Sequence, residues 1–180
     1  MRTLIFIAAG FALAACTAPG GGTVTTASLA AADAATSLAV GESVSEELST
    51  QSPVVEGADP VVSLALRHAD GRRLSFQQGN HTNDDLFVQQ PGGALAQIMG
   101  LPGEESPELY HSVSGEGNEG AFFCGPAGPA AIGRYQAADG TILIVGLRQP
   151  IQVETRPDGQ PEAVPYSPDQ VCARLRFRRG

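Results

Sequence analysis

The chain has 180 residues and a formal net charge of −8, enough length for one domain of ordinary size. All eleven basic residues are arginines, so a Schiff-base lysine, a Walker lysine and a Ser-x-x-Lys nucleophile are excluded, and the acidic balance argues against general nucleic-acid binding. Tryptophan is absent as well, which leaves sugar stacking to Tyr110, Tyr135, Tyr166 or the phenylalanines.

The chain opens with Met1-Arg2, continues through an apolar run from Leu4 to Leu13, and reaches Leu13-Ala14-Ala15-Cys16. A positive start, a short apolar core and small residues at the cut define a secretory signal. The core falls well short of the roughly 20 apolar residues that span a bilayer. The run ending in Cys16 resembles the lipobox of bacterial lipoprotein precursors. That resemblance implies removal of residues 1–15, a thioether-linked diacylglycerol on Cys16 and an additional N-acyl chain such as palmitate. Two or more chains give stable attachment to the bilayer, where one holds only marginally. Thr17 stands where an aspartate would mark retention in the inner membrane, so the implied address is the outer membrane of a bacterial envelope, facing the periplasm. The alternative is an ordinary signal cut after Ala14, because Ala12-Leu13-Ala14 also reads A-x-A.

With Cys16 taken up by lipid, Cys124 and Cys172 remain. An even pair in an oxidising compartment reads as a disulfide. It would close a loop of about 49 residues, worth on the order of 4 kcal/mol in the chain-entropy model. A two-cysteine metal site would need histidines at ligand spacing, and a redox pair is more often a close C-x-x-C.

Residues 16–58 are rich in Ala, Ser, Thr and Gly and nearly lack large side chains, so composition predicts a disordered tether. A coil of that length spans roughly 35–40 Å end to end. Alanines within 27–38 favour transient helix. The folded domain is expected over 59–180. Val62, Leu64 and Leu66 alternate with smaller or polar residues, and so do Leu74 and Phe76 beyond Asp70-Gly71. Alternating runs joined by Asp-Gly are a strong hairpin signal. The device recurs at Asp139-Gly140, between 132–137 and 141–147, and at Asp158-Gly159, between 151–155 and 162–166. Further strands are expected at 86–90, 109–113, 121–124 and 171–178. Ile142-Leu143-Ile144-Val145 is apolar without alternation, the pattern of a strand covered on both faces. Residues 94–99 read as one short helix covering a sheet or plugging a barrel end. The predicted class is mainly β: a small antiparallel sandwich or barrel.

Three constellations carry possible chemistry. Arg174, Arg176 and Arg178 alternate with the apolar residues of the last strand, with Arg179 adjacent. Such a row can hold phosphates or carboxylates by bidentate hydrogen bonds. It can equally be a solvated face, an edge-strand guard, or a counterweight to the acidic stretch between Leu74 and Gly133. His81 with Asp84 or Asp85 suits general acid–base work or a hard cation, yet Asn and Asp are also what turns favour. His68, His81 and His111 show no ligand spacing and no Gly-x-Ser-x-Gly elbow is present, so neither metal nor cofactor is expected. Gly115-Glu116-Gly117-Asn118-Glu119-Gly120 reads as a solvated loop.

The expected function is a non-enzymatic, membrane-anchored envelope lipoprotein whose β domain binds a protein or an envelope component. In outline, an anchored small β domain with one disulfide looks similar to the membrane-bound lysozyme inhibitors, which implies an inhibitor-like role. An acidic surface suits a basic partner. A structural or assembly role is the alternative. An envelope hydrolase using His81 or His111 with nearby carboxylates is a further one, and it requires all three histidines to converge with Asp84 and Asp85 in one cleft.

Overall fold

The computed structural model describes residues 23–31, 44–52, 59–113 and 122–179. The signal segment, Cys16 and the 115–120 loop lie outside them. In chain order the strands are β1 (Thr23–Ala31), β2 (Val44–Gln51), β3 (Val61–His68), β4 (Arg73–Gln78), β5 (Glu108–Ser112), β6 (Ala131–Gln136), β7 (Thr141–Leu147), β8 (Val153–Thr155), β9 (Pro161–Ala163) and β10 (Val171–Arg179). Two short helices, α1 (Asn83–Gln89) and α2 (Ala94–Met99), fall between β4 and β5. Each predicted Asp-Gly turn forms, with Gly71, Gly140 and Gly159 at φ of +95°, +82° and +82°. Those backbone angles are open to glycine and strained for residues with a Cβ.

Eight strands close an antiparallel barrel in the order β1-β10-β7-β6-β5-β4-β3-β2, and β8 and β9 form a separate hairpin. The fold is therefore mainly β, as composition and turn spacing predict, and the barrel alternative is the one realised. Its interior is apolar: Leu64, Leu66, Leu74, Phe76, Ile132, Ile142, Ile144, Leu175 and Phe177 are all buried there. Fully burying one such side chain is worth about 1.5–3 kcal/mol. A second core lies outside the barrel. It joins Val88 of α1 and Leu95 and Met99 of α2 to Leu109, Val145 and Leu147 on the outer faces of β5 and β7. This explains why β7 lacks alternation: Ile142 and Ile144 face the lumen, and Val145 and Leu147 face the outer layer. Gly133 lets that layer approach, since a Cβ there would stand 2.7 Å from a Leu95 methyl.

Three expectations are corrected. The domain begins well before residue 59, because β1 and β2 are staves of the barrel. β2 pairs with β1 from Val44 to Thr50 and with β3 along its whole length. Composition hid this stave because its lumen-facing residues are Val44, Glu46 and Leu48, and the central one is a carboxylate. The second correction concerns 86–90, which belongs to α1 rather than to a strand. Thr82 Oγ1 accepts the Asp85 N–H at 3.0 Å and caps the helix. Over so few residues, alternation and helical spacing cannot be told apart. Finally, residues 122–124 form a bend, not a strand, and the described residues hold two α-helices where one short helix was expected.

Glu46 is 1% exposed and Arg134 of β6 4%. Arg134 donates from Nε to Glu46 Oε2 at 2.6 Å and from Nη2 to Glu46 Oε1 at 2.8 Å. β2 and β6 are four strands apart in either direction round the barrel, so this bidentate pair spans the lumen between opposite walls. Nη1 donates to Glu108 Oε2 at 2.8 Å, and the Tyr110 hydroxyl donates to the same oxygen at 3.2 Å. Burial works against the charged guanidinium, but hydrogen bonds to Glu46 and the charges of Glu46 and Glu108 outweigh it, so the Arg134 pKa stands above its ordinary value. Burial, then the Glu108 charge, pushes the Tyr110 phenol well above its usual range. The network opens to solvent past Glu108 through a mouth of about 240 Å³ lined by Ser106, Tyr135 and Gln136.

The opposite end of the barrel is plugged. Phe123 is buried in the lumen core, and Cys124, at φ +64°, is disulfide-bonded to Cys172 of β10. The expected pairing is thus present. Cys172 sits where the β10–β7 register shifts, and the bridge lies against Gly146 of β7. A Cβ at Gly146 would fall 2.5 Å from Cys124 Sγ and 3.2 Å from Cys172 Sγ. The bridge is held by the chain at both ends and has little room to yield. Gly146→Ala should therefore lower the free energy of unfolding by about 1–3 kcal/mol, the usual cost of overpacking. Urea denaturation under oxidising conditions measures it. A midpoint equal to that of the wild type would show that the plug is loosely seated.

Candidate functional site

The lumen is filled by side chains, so a site for another molecule would have to lie on the outer surface. Its most elaborated feature lies where α1 meets β5. Gln89, the last residue of α1, donates to the Gly79 carbonyl at 2.6 Å, to the Asp85 carbonyl at 3.0 Å and to Asn80 Oδ1 at 3.1 Å. Its own carbonyl oxygen accepts the Leu109 N–H at 2.8 Å. One side chain thus fastens the polar 79–82 loop and the helix to β5. Asp84 and Asp85 occupy the first helical turn, where exposed N–H groups favour negative charge.

His111 projects from the outer face of β5 against Gly79, at which a Cβ would stand 2.8 Å from the ring Nε2. Asp85 holds the ring at the same nitrogen, its Oδ1 lying 2.7 Å from Nε2. These residues, with His81, Asp84, Gln77, Gln78 and Gln152, line a cleft of about 460 Å³. The structure therefore brings together His81, His111, Asp84 and Asp85. A carboxylate that positions an imidazole is the arrangement of a general base and its orienting partner. The cleft's hydroxyl, on Thr82, is engaged as the cap of α1. Among the described residues no group of three or more His, Cys, Asp and Glu side chains is placed to hold a metal ion.

His68 does not join this cleft, so the convergence of all three histidines that a hydrolase was expected to need is not met. It is buried at the plugged end, 5.2 Å from the Phe122 ring between centroids, with Nδ1 2.9 Å from Asp70 Oδ1. Arg72 lies over the same phenyl ring at 5.8 Å and donates to Asp70 Oδ2 at 2.6 Å.

The outer layer that frames the cleft is acidic. Segments 79–107 and 148–170 carry Asp84, Asp85, Glu104, Glu105, Glu154, Asp158, Glu162 and Asp169 against Arg148 and Arg156 alone. Six of these carboxylates belong to exposed residues, Asp85 and Glu105 being the partly buried ones. The arginine row lies elsewhere. Arg174, Arg176 and Arg178 are exposed on the outer face of β10, while Ala173, Leu175 and Phe177 fill the lumen, as the alternation predicts. The row is not simply an edge guard, since β10 pairs with β7 on one side and, over its last residues, with β1 on the other. Arg179 closes the strand opposite Leu29. The charges of Arg176 and Arg178 are felt by Asp139, whose pKa is lowered first by the Thr141 N–H and hydroxyl and then by these two arginines.

Sequence reasoning missed Gln89, Glu46 and Arg134. The spacing of Gln89 from Asp85 is a helical i, i+4 pair, a signal available only once 83–89 is read as a helix. The chain matches no known protein-family model, and no characterised protein or solved structure is recognisably similar to it.

Asp70 supplies a pH prediction. The Arg72 N–H, aided by His68 and the Arg72 guanidinium, lowers its carboxyl pKa from 3.8 to about 2, against a smaller opposing effect of burial. A depressed carboxyl contributes stability that is present above pH 3.8 and lost as pH falls toward 2. Asp70→Asn should therefore flatten the stability–pH curve between those values by lowering the neutral plateau, with stability near pH 2 and below little changed. Unfolding midpoints across that window test this, and an unchanged acid slope would contradict it.

Proposed function

We propose that the protein is a lipid-anchored envelope lipoprotein whose barrel domain binds a basic protein partner through the acidic outer layer. The observation that carries this reading is the excess of exposed carboxylates over arginines in segments 79–107 and 148–170, with Asp84 and Asp85 lining the His81–His111 cleft, on a barrel whose lumen is filled by apolar side chains and a charged bridge. A barrel of this kind carries no ligand inside, so its outer surface does the recognition. An acidic field attracts a cationic partner over a Debye length of about 8 Å in physiological salt. The run ending in Cys16 supports anchorage, and Thr17 supports an outer-membrane address. The likeness in outline to membrane-bound lysozyme inhibitors makes a lysozyme a suitable basic probe.

A hydrolytic reading is favoured by one observation, the His111–Asp85 pair in a cleft with His81 and Asp84. It needs a water or a substrate hydroxyl as nucleophile, since Thr82 is committed to the helix cap. An assembly role would be favoured by an exposed apolar patch. Leu86 is the large hydrophobic side chain left exposed among the described residues, and one side chain makes no patch.

With the protein immobilised, a lysozyme should be retained at low ionic strength and released steeply as salt rises. Asp84→Asn with Glu104→Gln should weaken retention several-fold, mainly by slowing association. Retention that is absent at low salt, or indifferent to salt and to these substitutions, would overturn the acidic-surface reading. His111→Ala separates the alternatives, because it abolishes a His111-dependent hydrolysis and leaves charge-driven binding largely intact.

A further inference from the structure

We infer that the uncharged groove between α1, α2 and the β8–β9 hairpin docks an apolar side chain, flanked by lysines or arginines, on an exposed segment of the basic partner. The inference rests on the acidic-surface reading for the partner's charge, and it supplies what a charged surface lacks, an anchor. Exposed ion pairs steer association and set register but add little affinity. Lasting complexes draw most of their binding energy from a few apolar or aromatic side chains seated in pockets.

The groove has a volume of about 470 Å³, within the roughly 300–1,000 Å³ of ligand pockets. Its walls are Phe87 from the last turn of α1, Ile98 from α2, and Val164, Pro165 and Tyr166 from the segment after β9. Gln90 and Gln97 add amides, and no side chain of the wall is charged at neutral pH. Leu86, the large hydrophobic side chain left exposed among the described residues, stands one helical turn before Gln90. The walls are fixed in place. The Tyr166 hydroxyl donates to the Gln170 carbonyl at 3.1 Å, and Gln97 Nε2 donates to the Gly92 carbonyl at 2.9 Å. Gly93 lets the two helices join closely, since a Cβ there would stand 2.8 Å from the Gln90 carbonyl oxygen. A cavity held this way spares much of the ordering cost of binding.

Three exposed carboxylates border this apolar cavity. Asp84 stands three residues before Phe87, on the same side of α1. Glu162 precedes Ala163 of the wall, and its partner Arg156 is 3.4 Å away in a largely exposed pair. Glu104 follows Gly103, whose carbonyl oxygen lies 3.2 Å from a Cβ built on Gly92. Asp84 and Glu104 make no ion pair among the described residues. An apolar cavity bordered by carboxylates fits a hydrophobic side chain with cations on either side. The same charge disfavours a second copy of this chain, whose net charge is −8.

The probe is a synthetic pentapeptide with a central phenylalanine and two lysines on each side, measured on the immobilised full chain. It should bind at low ionic strength and weaken as salt rises. Replacing its phenylalanine by alanine should weaken binding about ten- to a hundredfold, the value of burying an aromatic side chain. Replacing its lysines by serines should weaken binding several-fold at low salt, with the difference closing at high salt. Ala94→Trp fills the groove from the first residue of α2 and should abolish binding, with the unfolding midpoint near that of the wild type because Ala94 is only partly buried. Phe87→Ala removes part of the wall and should weaken binding without adding bulk. Equal binding of the phenylalanine and alanine peptides, undiminished binding by folded Ala94→Trp and Phe87→Ala, or equal binding of the serine peptide at low salt would overturn the proposal. Self-association that Ala94→Trp removes would overturn it too, because it would assign the groove to a second copy. Lysozyme retention tells this failure from failure of the reading beneath it. Retention lost in Asp84→Asn with Glu104→Gln but unchanged in Ala94→Trp keeps the acidic surface and removes the groove. Lysozyme that is not retained at low salt removes the acidic-surface reading itself.

Discussion

The barrel depends on a charged bridge across its lumen. Arg134 and Glu46 sit on opposite walls, both nearly inaccessible to water, and meet through two parallel hydrogen bonds. Burying either ion alone would cost several kcal/mol, and their attraction offsets this only because the fork geometry satisfies both carboxylate oxygens. Glu108 accepts a further guanidinium N–H and the Tyr110 hydroxyl, and extends the network to the solvent-facing mouth. The bridge fixes which residue of β2 faces inward. A slip of one residue would put Glu46 outside and leave Arg134 uncompensated in the core, so register and charge specify each other.

That same bridge explains what could and could not be read in the sequence. The staves from β3 onward announced themselves through alternation and Asp-Gly turns, and β10 was legible from Ala173 onward, arginines out and core in, whereas the register shift at its start reverses Val171 and Cys172 from the faces alternation gives them. The disulfide followed from the cysteine count. β2 was hidden, because a stretch of Ser, Thr and Glu looks like solvated coil until one glutamate has a buried partner 88 positions away. Nothing local announces such a pair. α1 was hidden for a different reason: a seven-residue helix with two aspartates at its start is too short for its period to show. The candidate cleft was half legible. His81, Asp84 and Asp85 stood out as a polar loop, but the approach of His111 depends on the absence of a side chain at Gly79 and on the Gln89 staple.

The outside of this closed barrel carries two charged features. On β5, β6 and β7 an outer layer of two helices and a hairpin adds a second core and a dense set of carboxylates. On β10 the wall carries the arginine row. A bound lumen ligand has no room in this arrangement, whereas a partner approaching the acidic layer meets a surface held rigid from below by Leu95, Met99 and Val88. The disulfide plug at the far end keeps the barrel shut where the β10–β7 register shifts.

The most direct measurement is the unfolding free energy of Glu46→Ala compared with the double variant Glu46→Leu, Arg134→Met. If the bridge spans the lumen, the single substitution strands a buried guanidinium and costs about 3–5 kcal/mol, while the double substitution recovers most of that loss. If residues 44–51 were instead a solvated tether, Glu46→Ala would change stability by less than about 0.5 kcal/mol, as surface substitutions do. That result would contradict the account.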